Sequence, residues 1–253
     1  MWALLLLIGV VLLIHWFEYR QFIEEYTFAQ PKSLGEIRDV IREKTPIVVE
    51  IGVLPWREEI ASKANWNVAT AVGMGSDDED GAELYLPMSE WLQESPRPEL
   101  KNKEALAVEM GLTTGLSEID ESRPWWWLPG FYDQQVGIMA AGEVSGLSWV
   151  EAERRWIGCS GGAPIVLWLV HGRHRRYLPG TEKEADPWAL TAAETPWIGR
   201  VQYIEVRVRP GWCIAIPAHW GVAIRAEGEE ASWVWSADQH STLSWGLANA
   251  MRP

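Results

Sequence analysis

Histidines are the side chains of this chain best suited to metal chemistry, because neutral imidazole binds transition metals. The 253 residues include 5 histidines. His171 and His174 flank an expected turn, whereas His219 and His240 lie far from them in sequence. A ferrous-iron site of the facial type needs two imidazoles and a carboxylate on one face. The spacing therefore favours turn or surface histidines, with recruitment of His171, His174 and His219 into an unorthodox metal site as the alternative.

The two cysteines, Cys159 and Cys213, are predicted to be buried free thiols. Both stand in apolar, strand-like sequence, where free cysteine behaves as a small hydrophobic residue. A disulfide between the two cysteines is the alternative. A zinc site is disfavoured because neither cysteine has a second ligand at a short spacing. The chain also lacks a glycine-rich phosphate loop and a nucleophile motif. We therefore expect no catalytic residue, no bound metal and no cofactor.

Residues 209–222 carry an ordered motif: a Pro-Gly turn, an apolar strand, a second proline and a tryptophan. This order resembles the closing motif of the JmjC and cupin-like hydroxylases, whose last strand holds an iron-binding histidine. The matching residues are Gly211, Ile216, Pro217 and Trp220, and Val222 stands where that histidine would be. Because valine cannot bind a metal, the resemblance implies an inherited fold that has lost its iron site.

Two further stretches resemble the same family. In residues 154–179 a strand and the turn Ser160-Gly161-Gly162, similar to a Gly-Ser turn of the family, are followed by an apolar strand, but the interval contains no His-x-Asp or His-x-Glu pair. The resemblance therefore implies that the first two iron ligands are missing as well. Nearer the N-terminus, Ser33 and Glu36 have the spacing of a helix capping box, and a buried strand is expected at 46–52. His219, three residues before Val222, would face the opposite side of a continuous strand.

A nearly continuous apolar segment runs from Trp2 to Phe17 and includes Leu5, Leu12 and Trp16. As a helix its 16 residues reach about 24 Å, a little less than the roughly 30 Å hydrocarbon core of a bilayer. Local thinning, or tryptophans at the interfaces, would close the gap. We predict an uncleaved, single-pass anchor with a juxtamembrane extension over residues 1–30. A cleaved signal peptide and a buried soluble helix are the alternatives.

Charge and tryptophan content point to protein contacts. The formal net charge of −13 disfavours a nucleic-acid partner, which would need a basic surface. Among the 18 tryptophans, Trp125, Trp126 and Trp127 are consecutive, so they cannot all face one core. At least one is expected at the surface or in an interface, where tryptophan is a favoured anchor. A tryptophan-rich core with one ring over a loop is the alternative.

A compact basic patch, Arg173, Arg175 and Arg176, interrupts the acidic sequence. The simplest expectation is a solvated turn whose charges pair with Glu182 and Glu184. The functional alternatives are an acidic surface on a partner protein and lipid headgroups. We treat the patch as a candidate interface.

The strand-rich second half predicts a mainly β fold, with strands at 203–208, 212–216, 222–226 and 232–236. Together with the resemblance, this density favours a double-stranded β-helix, the jelly roll of the cupins. We expect that domain over residues 31–253, with peripheral helices and an N-terminal transmembrane helix.

These expectations combine into a membrane-anchored, catalytically degenerate, cupin-like scaffolding protein that contacts the lipid bilayer and protein neighbours in a larger assembly. Cupin-like proteins of this kind resemble those carried by large DNA viruses. That resemblance implies a minor capsid protein, or a virion component at the interface of inner membrane and capsid. The alternatives are an Fe(II)/2-oxoglutarate-dependent hydroxylase with rearranged ligands and a carbohydrate-binding cupin that stacks sugars on tryptophan.

Overall fold

A computed structural model describes residues 2–20, 26–50, 67–71, 83–91, 103–109, 116, 130–179 and 185–241. Its helices are α1 (Trp2–Arg20), α2 (Leu34–Val40), α3 (Met88–Trp91) and α4 (Lys103–Glu109), with 3₁₀ turns at Ile41–Glu43, Gly172–Tyr177 and Ile198–Arg200. The strands are β1 (Ile47–Glu50), β2 (Asn67–Ala71), β3 (Glu83–Pro87), β4 (Gly130–Met139), β5 (Ser148–Trp149), β6 (Arg154–Gly162), β7 (Ile165–Val170), β8 (Tyr203–Val208), β9 (Trp212–Pro217), β10 (Gly221–Ala226) and β11 (Ser232–Ser241). The prediction of a mainly β fold is confirmed.

Two antiparallel sheets make up most of the described fold. The larger has the strand order β1-β9-β6-β11-β4 and the smaller the order β5-β10-β7-β8, while β2 and β3 form a separate pair. The pairing is nested, since β4 pairs with β11, β5 with β10, β6 with β9 and β7 with β8. The chain thus folds back on itself as one long ribbon whose successive segments alternate between the two sheets.

A shared apolar core joins the two sheets. Its buried side chains include Ile157 and Ile214 from the larger sheet and Leu167 and Val222 from the smaller sheet. The other face of the larger sheet is covered by a second cluster, to which α2 contributes Ile37. Because successive side chains of a strand point to opposite faces, neighbouring residues in β6 belong to different clusters. The arrangement is that of two packed sheets with further layers outside them.

Both cysteines are buried and free, as predicted. Cys159 belongs to the core between the sheets, whereas Cys213 belongs to the cluster on the opposite face of the larger sheet. Their side chains therefore point away from each other, which excludes a disulfide between them. Burial raises the pKa of both thiols, so neither is a poised nucleophile.

The capping prediction at Ser33 is confirmed, with one difference. Its Oγ accepts a hydrogen bond from the backbone N–H of Glu36 at 3.2 Å. The carboxylate of Glu36 in turn accepts from the backbone N–H of Lys32 at 2.8 Å, not from that of the capping residue itself. Both bonds satisfy amides at the start of α2, and Ile37 on this helix is fully buried.

The predicted strands of the second half are all present, but β11 extends to Ser241, beyond the predicted end at residue 236. Its second half is polar, and it remains extended because it pairs on one side with β4 and on the other with β6. β4 itself was not predicted. Its polar and apolar residues alternate weakly, and exposed Asp133 and Gln135 lie on this edge strand.

The N-terminal prediction is only partly supported. A helix, α1, occupies Trp2–Arg20 as expected, but the extension over residues 21–25 lies outside the described residues. Within the part of the chain that the structure describes, no helix is long and apolar enough to cross a membrane. The transmembrane helix predicted at the N-terminus stays a prediction.

Candidate functional site

Val222, which stands where the resemblance expects an iron-binding histidine, lies in the core between the two sheets. It is 2% exposed. In the register of β10 its neighbours are Ser148 on β5 and Leu169 on β7. The cluster around it is apolar and also contains Val150, Ala152, Ile157, Leu167, Leu169, Ile214, Ile216 and Trp220. Neither adjacent strand places an imidazole or a carboxylate beside Val222, so these residues do not fit a ferrous-iron site.

His219 lies in the turn between β9 (Trp212–Pro217) and β10 (Gly221–Ala226), so the two strands are separate, as predicted, and strand alternation does not apply to it. Its φ is 69°, in the left-handed region, and its backbone N–H donates to the carbonyl of Val150 at 2.9 Å. Gly172 packs against this turn so closely that an added Cβ would lie 2.4 Å from the His219 carbonyl oxygen. The backbone geometry of the turn, not strand alternation, therefore sets the direction of the His219 side chain.

His171 and His174 are both buried, contrary to the expectation of surface or solvated turn histidines. The Nδ1 of His171 accepts a hydrogen bond from the backbone N–H of Arg173 at 3.2 Å. The Nε2 of His174 accepts from Nε of Arg173 at 3.0 Å. Burial, together with the positive charges of Arg173 and Arg176, lowers the pKa of His174. These two ring nitrogens are already engaged by the protein.

The proposed set of His171, His174 and His219 is therefore not assembled as a metal site. Among the described residues, no group of three or more His, Cys, Asp or Glu side chains is arranged to hold a metal ion. The ring of His171 packs edge-on against Trp220, with centroids 5.3 Å apart. Its structural neighbours are thus aromatic rings and main-chain groups of the Gly172–Tyr177 turn.

A polar group that sequence reasoning missed lies beside Val222. Arg155 on β6 and Asp238 on β11 are register partners. Nε and Nη2 of Arg155 donate to the two carboxylate oxygens of Asp238 at 2.6 and 2.7 Å. Nη1 of Arg155 donates to the Ser148 Oγ at 2.9 Å, and that hydroxyl donates to the carbonyl of Val222 at 3.4 Å. This chain of hydrogen bonds links both sheets beside the expected iron position.

The electrostatics of this group favour a permanent ion pair. Burial lowers the pKa of Arg155, but the hydrogen bonds and charge of Asp238, with the charges of Asp133 and Glu151, outweigh that effect and raise the pKa overall. The pKa of His240, in contrast, is lowered overall, because burial outweighs the opposing charge of Asp238. Arg155 and Asp238 satisfy each other as a bidentate pair. The hydrogen bonds of Arg155 therefore connect β6, β11 and β5.

The basic patch is organised by aromatic rings. The guanidinium of Arg173 lies 5.5 Å from the Tyr26 ring centroid, that of Arg175 lies 5.1 Å from Trp149, and that of Arg176 lies 4.7 Å from Tyr177. All three arginines are exposed. The expected acidic partners, Glu182 and Glu184, lie outside the described residues. Such stacking holds a cation in place while leaving its outer face to solvent.

The other candidate residues stand as follows. Trp125, Trp126 and Trp127 lie outside the described residues. On α1 the expected lipid-facing side chains are solvent-exposed, and Trp16 is partly exposed. The exposed fractions are 81% for Trp2, 53% for Leu5, 44% for Leu12 and 59% for Phe17.

Comparison with known proteins adds no assignment. The chain matches no protein-family model and shows no significant similarity to a curated protein.

Proposed function

We propose that this protein is a non-catalytic scaffold, built on a cupin-like jelly roll and attached to a membrane by α1. The observation that carries the proposal is the apolar environment of Val222, where the related hydroxylases would hold iron. A hydrocarbon cluster at that position stabilises the packing of two sheets. The cluster itself offers no metal ligand, and the nearby carboxylate of Asp238 is already engaged by Arg155.

The nested strand pairing supports the jelly-roll part of the proposal. In a double-stranded β-helix, a long antiparallel ribbon is wound so that its segments fall alternately into two facing sheets. The pairs β4-β11, β5-β10, β6-β9 and β7-β8 follow that order. β1 then extends the larger sheet beyond β9. The eight paired strands form two packed sheets that can present their loops and outer layers to partners.

The exposure of α1 supports membrane attachment. Its apolar side chains include Leu5, Leu12 and Phe17, and each is substantially exposed. An exposed apolar helix of this kind is stabilised by entering lipid. The proposal requires α1 to enter the bilayer and does not require it to cross.

Protein neighbours in a larger assembly would use the exposed aromatic side chains and the basic patch. The resemblance to cupin-like proteins of large DNA viruses suggests a virion as the setting, at the interface of inner membrane and capsid. Scaffold proteins act through contact, and the fold alone does not supply chemistry.

Turnover of 2-oxoglutarate tests the non-catalytic part of the proposal. The full chain, purified in detergent and supplied with ferrous iron, ascorbate and oxygen, is expected to consume no more 2-oxoglutarate than iron alone. Iron-dependent consumption by the unaltered chain above the iron-only rate would overturn the proposal.

A further inference from the structure

The segment that follows α1 is fastened to the folded domain at Tyr26. The Tyr26 hydroxyl donates to the carbonyl of Gln202 at 2.6 Å. Its ring packs edge-on against Trp220, with centroids 5.5 Å apart. Three residues later, the backbone of Ala29 bonds to those of Pro46 and Val48. The chain that leads to α1 therefore leaves the domain at a defined place.

Arg173 belongs to that same place. Its guanidinium lies over the ring of Tyr26 at 5.5 Å, and its Nη2 donates to the side-chain oxygen of Gln202 at 2.8 Å. The backbone N–H of His171 also donates to the Tyr26 hydroxyl, at 3.4 Å. The Gly172–Tyr177 turn and the segment after α1 thus share one set of contacts.

Chain length limits how far this turn can lie from α1. Residues 21–25 separate Arg20, the last residue of α1, from Tyr26. Even fully extended, six residue steps span at most about 22 Å. With α1 in lipid, this length keeps Tyr26 within about 22 Å of the end of the helix.

That surface carries concentrated positive charge on an acidic protein. The three exposed arginines of the turn lie within four residues, whereas the whole chain has a net charge of −13. Arg175 and Arg176 are held against the rings of Trp149 and Tyr177. Planar guanidinium groups fixed in this way match phosphate and carboxylate oxygens.

We infer that Arg173, Arg175 and Arg176 form a second membrane contact, which binds the headgroups of anionic lipids beside the point where α1 enters the bilayer. The inference rests on the proposed attachment through α1. Each arginine near an anionic leaflet strengthens binding about fivefold, so three should contribute on the order of 100-fold. The contribution is electrostatic and falls as salt screens it.

Vesicle flotation of the full chain tests this contact. We would compare phosphatidylcholine vesicles with vesicles that also contain phosphatidylserine, using the unaltered chain and the triple variant Arg173→Gln, Arg175→Gln, Arg176→Gln. The matched control is Arg207→Gln, Arg209→Gln, Arg225→Gln. This control removes the same number of positive charges from the other end of the smaller sheet. That end is where Val208 pairs with Ile165, whereas the basic patch follows Val170 at the opposite end of β7.

Phosphatidylserine should raise the affinity of the unaltered chain and of the control at least tenfold, and that of the patch variant less than threefold. Thermal melts of both triple variants check that they fold. An equal effect of phosphatidylserine on all three proteins would overturn the inference and leave attachment through α1 intact. Failure of every protein, including the unaltered chain, to bind neutral vesicles would instead overturn the proposed attachment.

Discussion

Arg155 and Asp238 are 83 residues apart in sequence, yet they face each other across β6 and β11 as a bidentate ion pair. Their side chains are only 21% and 19% exposed. Arg155 also reaches Ser148 on the other sheet, so a single guanidinium links the two sheets beside Val222. The pair is a polar contact beside the largely apolar core between the two sheets.

Replacing Asp238 with Ala should destabilise the fold, because it leaves the Arg155 charge largely buried without its carboxylate. We expect a loss of about 2 kcal/mol in the free energy of unfolding, reduced from the value for full burial by the residual exposure. Urea denaturation measures it. The exposed pair Arg207–Glu227 provides the control: Glu227→Gln should cost less than about 0.5 kcal/mol. Equal losses in the two variants would contradict a special role for Arg155.

Adding one methyl group at Gly158 should also destabilise the larger sheet. A Cβ at this position would lie 2.1 Å from the ring of Trp235, which is buried and cannot move freely. Gly158→Ala should therefore cost about 3 kcal/mol through overpacking. Gly137→Ala is the matched control, because its nearest neighbour would be 4.0 Å away. If the denaturant midpoints shift equally for both variants, the Trp235 ring moves to accommodate the methyl group, which would contradict the prediction.

Stability should decrease on acidification through His174. Burial and the charges of Arg173 and Arg176 lower its pKa in the folded state, so the unfolded chain binds the proton more readily. The stabilisation from this group is therefore present above its ordinary pKa of about 6.5 and is lost as the pH falls through that value towards the folded one. Thermal melts at pH 7.5 and 5.5 measure the effect.

His174→Gln separates this group from the others that titrate. The amide oxygen can still accept the bond from Arg173 but does not ionise, so the variant should lose less stability between the two pH values than the unaltered chain. The same pH dependence in both proteins would assign the effect to other groups, such as His240.

A hydroxyl group placed in the core at Val222 should be poorly tolerated. Val222→Thr keeps the shape of the side chain but buries an oxygen among apolar groups, and we expect a cost of about 1–3 kcal/mol. Val108→Thr, at an exposed position on α4, should cost less than about 0.5 kcal/mol. A Val222→Thr variant as stable as the unaltered chain would indicate that the site tolerates polar groups.

The sequence was sufficient to predict elements whose signal is local. The apolar run of β7 predicted a strand, and all its residues are buried. Ser33 and Glu36 likewise identified the start of α2. β4 was missed because its weakly alternating sequence has no strong strand signal. It is extended because β11 pairs along its whole length.

The Arg155–Asp238 ion pair and the stacking of the basic patch on aromatic rings could not be predicted from the sequence, because both depend on contacts between distant parts of the chain. Arg155 and Asp238 are brought together only by the register of two strands distant in the chain. Tyr26 and Arg173 meet because the segment after α1 packs against Trp220. Arg155 lies inside the strand that begins at Arg154, and a charge in such a position indicates that a partner of opposite charge lies nearby.

Ferrous-iron binding tests whether the core around Val222 holds a metal site. The full chain, incubated anaerobically with ferrous iron with and without 2-oxoglutarate, is desalted for metal analysis and melted in parallel. We expect no stoichiometric iron and an unchanged melting temperature, because the cluster around Val222 is apolar and the nearby Asp238 carboxylate is engaged by Arg155. Stoichiometric iron, together with a rise in melting temperature of about 5 °C that requires both additives, would contradict it.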